Sequence, residues 1–140
     1  MRFWDSSAVV PLLVEQDASD RVAGWVDTDH AVVLWTLTSV EVASALRRLV
    51  RERALREALA LEAEARMDEM ARACHVVVDI DTVKTVARRL LRLHTLRAFD
   101  ALQLAAAMQW AEGHPDGRIL CTLDGRLAEA ARREGFVVPA

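Results

Sequence analysis

Four acids, Asp5, Glu41, Asp100 and Asp124, stand where apolar runs give way to helix-like segments. Carboxylates gathered within a few ångströms repel one another and hold protons at neutral pH unless a cation sits among them. Oxygen-only ligands select hard ions, Mg²⁺ or Mn²⁺, and leave positions for water and substrate oxygens. An ion so held lowers the pKa of bound water, neutralises phosphate charge and orients an in-line attack. Such a cluster would therefore serve phosphodiester hydrolysis.

Each acid also has a plainer reading. Asp100 lies in Ala98-Phe-Asp-Ala-Leu-Gln-Leu-Ala-Ala-Ala-Met-Gln-Trp110, where apolar residues surround it on every helical face and predict a buried helix. A lone buried carboxylate is costly unless paired, hydrogen-bonded or metal-bound. The alternatives are a first-turn acid facing the helix dipole or a salt bridge to Arg97. Thr38-x-x-Glu41 fits a capping box. Asp124 could be an N-cap, and in Asp5-Ser-Ser7 all three residues are capping types, with Ser6 or Ser7 expected to cap the next helix. Caps alone give no reason for acids to gather at the ends of several strands.

The elements that would gather them follow from periodicity. Strands are expected in the run that opens at Arg2 and carries Asp5 at its carboxyl end, and at Ala31–Thr36, Val76–Val78, Arg118–Thr122 and Phe136–Val138, where short runs are apolar and rich in β-branched or aromatic residues. Helices are expected over Ala8–Val14, Ser19–Val26, Thr38–Val50, Ala54 to about Ala73, Asp81 to about Leu93, Ala98–Glu112 and Gly125–Glu134. Strands alternating with helices predict an α/β fold, a three-layer α/β/α sandwich on a mostly parallel sheet. Ligands in such folds bind beyond the carboxyl ends of the strands, where strand order reverses. Residues 1–140 read as a single domain, without repeat or linker.

The sequence resembles the PIN-domain family, particularly the VapC-type toxins of toxin–antitoxin pairs. The likeness rests on Trp4-Asp-Ser-Ser-Ala-Val-Val-Pro-Leu-Leu13, Thr38-Ser-Val-Glu41, Leu96-Arg-Ala-Phe-Asp-Ala-Leu-Gln-Leu-Ala-Ala-Ala107 and Leu120-Cys-Thr-Leu-Asp-Gly-Arg-Leu-Ala-Glu-Ala-Ala131, with Gly135-Phe136 behind the last. Residue by residue, the resemblance places the metal-binding and catalytic acids at Asp5, Glu41, Asp100 and Asp124, and supporting hydroxyls at Ser7 and Thr122. It implies a Mg²⁺- or Mn²⁺-dependent endoribonuclease cutting structured or single-stranded RNA. It also implies a homodimer restrained by a cognate antitoxin. Glu41 would either ligate the ion or position the water.

Other features narrow the classes. With 53% hydrophobic and 28% charged residues the chain is expected to be globular, without a transmembrane span or signal peptide, and cytoplasmic. A net charge of -3 argues neither for nor against nucleic acid. Cys74 and Cys121 lack metal-type spacing and read as buried free thiols. Asp79-Ile-Asp-Thr-Val83 imitates the DxDxT phosphatase motif, but the one lysine, Lys84, is almost adjacent, so Asp81 is read as a helix cap. The lack of a later lysine also disfavours a phosphorylated receiver domain. Arg47, Arg48, Arg51, Arg53, Arg56 and Arg88, Arg89, Arg92 read as solvated faces paired with glutamates, some of them able to line an RNA groove. His94 and His114 read as surface residues. Of the four tryptophans, Trp25 is the one expected to meet a partner. Two rivals remain: a non-catalytic module acting through its antitoxin, and a metal-dependent hydrolase of small phosphate substrates, against which the absence of a Gly-rich phosphate loop counts.

Overall fold

The computed structural model describes residues 1–140. Strands β1 (Arg2–Trp4), β2 (Val32–Trp35), β3 (His75–Val77) and β4 (Leu120–Cys121) form one parallel sheet in the order β3-β2-β1-β4. Seven helices connect and cover them: α1 (Ser6–Leu13), α2 (Ser19–Thr28), α3 (Thr38–Arg51), α4 (Glu57–Ala73), α5 (Ile80–Leu93), α6 (Ala98–Trp110) and α7 (Gly125–Glu134). The expected last strand at Phe136–Val138 contributes only a bridge between Val137 and Ile119.

The period of two along each strand builds the three layers. Phe3, Val33, Trp35 and Leu120 point into a core shared with α5, α6 and α7. The intervening Trp4, Leu34 and Cys121 point into a second core with α1, α2, α3 and α4. Helix α6 supplies Ala101 and the run Leu104–Ala107 to the first core, all fully enclosed. Truncating a side chain such as Leu104 to Ala there would cost about 2–5 kcal/mol. Both cysteines are free, Cys121 buried and Cys74 half-buried. No helix is long and apolar enough to cross a membrane.

Several local expectations are corrected. Trp25 is buried, packed against Trp4 with ring centroids 6.1 Å apart, and its indole N–H donates to the carbonyl of Ala140. His94 is enclosed against Glu134, 2.7 Å from its carboxylate. The cap of α5 is Asp79, accepting from the Thr82 amide, while Asp81 projects into solvent beside Lys84. The chain runs outward from β1 to β2 and β3, then returns to the opposite side of β1 with β4. The strand order therefore reverses between β1 and β4, and their carboxyl ends open one crevice.

Candidate active site

Asp5 follows β1 directly, its amide bonded to the Cys121 carbonyl of β4. It is the N-cap of α1, its carboxylate accepting from the Ser7 amide, so the expected cap at Ser6 or Ser7 moves back to the acid. Asp5 is only 2% exposed. Its Oδ2 accepts from the hydroxyls of Ser7 and Thr122, the latter at 2.9 Å. Its Oδ1 accepts only the weaker Ser6 hydroxyl bond, at 3.3 Å. Burial pushes the Asp5 carboxyl above its usual range, and these hydrogen bonds pull back against it. Ser7 and Thr122, the two hydroxyls that the resemblance placed beside the acids, thus both donate to one oxygen of Asp5. Their Oγ atoms also accept from the amides of Leu123 and Asp124, which ties the β4–α7 turn to α1.

Glu41 sits in the first turn of α3, yet the capping box does not form. The N-cap is Leu37, which makes no side-chain cap bond. The Glu41 carboxylate instead accepts from the Ser6 hydroxyl at 3.0 Å and the Gln103 amide at 2.9 Å. Burial pushes it up to about 7; Ser6 and Gln103 oppose that, and repulsion from Asp5 and Asp100 adds to it. Asp124 is the N-cap of α7, its Oδ1 accepting from the Leu127 amide at 2.8 Å.

Asp100 departs from full burial. The first turn of α6 opens on the crevice, leaving Asp100 half-buried, and the enclosed part of the helix starts at Ala101. Asp100 forms no ion pair with Arg97 or any other cation. Its carboxyl is raised by burial first, then by Asp124 and Asp5, with Arg97 opposing. Strands β1 and β4 and helices α3 and α6 therefore bring the acids to one gap, where Asp5 and Asp100 repel Glu41 and Asp5 and Asp124 repel Asp100.

Two further residues organise this gap, neither of them expected from the sequence to belong to the site. Ser6 bridges Asp5 and Glu41. Gln103, fully buried one turn after Asp100, spans to Glu41 and to the Thr38 hydroxyl. The signal for Gln103 was a lone amide on an otherwise apolar helix face.

The donor set suits a hard divalent cation: carboxylate oxygens that repel one another, without an intervening lysine or arginine. No three His, Cys, Asp or Glu side chains are arranged to hold an ion as they stand. The fit is thus one of donor chemistry and charge, not of a closed coordination shell.

A parallel α/β sandwich with acids clustered at its switch point defines the class. The PIN domain family model matches residues 2–133. Ribonuclease VapC45 of Mycobacterium tuberculosis (strain CDC 1551 / Oshkosh) is 33% identical over 139 residues, covering 99% of this chain and 94% of that protein. Ribonuclease VapC46 of strain H37Rv is 36% identical over 140 residues, covering 99% and 95%. The crystal structure of the M. tuberculosis sarcin-ricin loop cleaving toxin VapC20 superposes with a TM-score of 0.69 at 19% identity, over 98% of this chain and 97% of that one. The chain belongs to the PIN-domain family.

Proposed function

We propose that the chain is a Mg²⁺- or Mn²⁺-dependent endoribonuclease, the toxin of a toxin–antitoxin pair, in which Asp5, Glu41, Asp100 and Asp124 hold the ion. The observation that carries this is the convergence of four acids at the switch point, with Asp5, Glu41 and Asp100 repelling one another and Asp124 acting on Asp100, in a chain whose relatives over nearly full length are named ribonucleases. When bound, the ion supplies Lewis acidity toward phosphate and a lowered pKa for water.

The chain's own residues hold and orient the reacting groups. Ser7 and Thr122 fix one oxygen of Asp5 and leave the other toward the gap. Ser6 and Gln103 fix the Glu41 carboxylate from two sides. Glu41 either joins the ligands or takes the proton of the attacking water. A carboxyl pushed up to about 7 suits proton transfer near neutral pH. No histidine is assigned a role, and His94 is committed to Glu134. A cognate antitoxin, a homodimer and a cytoplasmic setting complete the proposal, supported by the family.

Cleavage of a mixed RNA pool in Mg²⁺ or Mn²⁺ tests it. Wild type should cut, and EDTA or Asp100→Asn should abolish cutting. A folded wild type, free of antitoxin, that cuts no RNA but hydrolyses a small phosphate ester would replace the ribonuclease with the small-substrate hydrolase.

A further inference from the structure

An open cleft of about 600 Å³ adjoins the acid gap, with Ser6, Ser7 and Glu41 on its floor. On α3, Glu41, Ala45 and Arg48 recur at spacings that put them on one face, so the wall that begins at the acid ends at a cation. The mouth of α6 supplies Arg97 and Phe99. Neither Arg48 nor Arg97 forms an ion pair, although Arg47, next in the chain, is held by Glu57 and Glu64 and Arg89 by Glu134. Phe99 is 55% exposed, whereas Phe3, Phe136, Trp4, Trp25 and Trp35 are all buried. An exposed aromatic immediately before Asp100 gains nothing for the core it does not enter.

Resting on the ribonuclease reading, we infer that Phe99 is a specificity-determining residue of this cleft: one base of the RNA stacks on its ring, and the flanking phosphates are held by Arg48 and Arg97. The chemistry favours an unpaired strand over a duplex. Two free cations match a phosphate backbone in charge, and every base offers a face to an aromatic ring only when it is out of a paired helix. The acids then meet the phosphate next to the stacked nucleotide, so Phe99 sets which bond is presented. Duplex RNA keeps its base faces covered and leaves Phe99 without a partner.

The test uses the intact chain and a fluorescent single-stranded oligoribonucleotide, followed by anisotropy in Ca²⁺ with the same sequence annealed as a duplex for comparison. Wild type should prefer the single strand. Phe99→Ala should weaken single-strand binding by about tenfold, the scale of one lost base–aromatic stack, while Phe99→Trp restores it. Arg48→Gln and Arg97→Gln should weaken binding across sequences and each lower the salt slope by about one. In Mg²⁺, Phe99→Ala should raise KM and alter the distribution of cut positions. Wild type that cuts RNA while Phe99→Ala binds and cuts identically would overturn the inference and leave the ribonuclease standing. Equal affinity for duplex would overturn it too, as would a Phe99→Ala variant that changes only the oligomeric mass. Wild type that neither binds nor cuts RNA would remove both readings.

Discussion

Two partly buried glutamates in this molecule lie in opposite electrostatic settings. Glu134, at the end of α7, has a side chain 12% exposed. Burial pushes its carboxyl up, but hydrogen bonds from His94 and Arg89 and their charges reverse this and bring it below its usual range. Glu41 is also pushed up by burial, and receives only neutral donors, Ser6 and Gln103, with two more acids nearby. The first acid ties α5 to α7. The second is denied a cation by its own surroundings, which is what an acid awaiting a metal ion or a proton requires. On the proposed reading, the contrast separates an acid that ties two helices together from one that serves the metal site.

The largest expected effect falls on Glu41. Glu41→Gln removes a carboxylate from the acid gap and should lower the RNA cleavage rate by about a hundredfold or more. Its melting temperature should hold or rise, because the substitution removes a poorly solvated charge. Glu134→Gln should do the reverse. It leaves His94 and Arg89 without their shared acceptor, costs about 1–2 kcal/mol in a denaturant titration, and leaves kcat unaltered.

The pH dependence sharpens the same comparison. Glu41 is raised from 4.5 to about 7. The stability it contributes as a protonated group is fully present below 4.5 and is lost as pH rises through about 7. Glu134 is lowered, so its contribution is present above 4.5 and is lost as pH falls through its folded value. Thermal melts in EDTA should therefore decline toward neutral pH for wild type and less so for Glu41→Gln. Glu134→Gln should flatten the loss on the acid side. The smallest effect belongs to Arg89→Ala. This arginine is 43% exposed and shares Glu134 with His94, so its loss should cost less than about 1 kcal/mol.

The sheet and its switch point were legible because the strands are short, apolar and well separated by helical periodicity. Asp124 was legible twice over, as a cap and as an acid just beyond a strand, whereas Asp5 was legible as a strand-end acid and took the cap expected at Ser6 or Ser7 as well. Glu41 was harder. Its capping-box spacing is genuine, but Ser6 and Gln103, distant in sequence, compete for the carboxylate and win. The same limit hid His94, whose partner Glu134 arrives from another helix, and Trp25, which is covered by Trp4 and the carbonyl of Ala140. Helix α6 read as apolar throughout, because periodicity registers side-chain type and not the opening of its first turn onto a cleft. Long-range polar pairing leaves no periodic trace along the chain.

The central claim is that the acid gap is left without a cation because it takes a divalent one. Calorimetric titration of the chelator-treated protein with Mn²⁺ tests it most directly. The account predicts a binding event that Asp100→Asn abolishes and Glu134→Gln leaves intact. A folded wild type that takes up no Mn²⁺, or binding that survives Asp100→Asn unchanged, would contradict it.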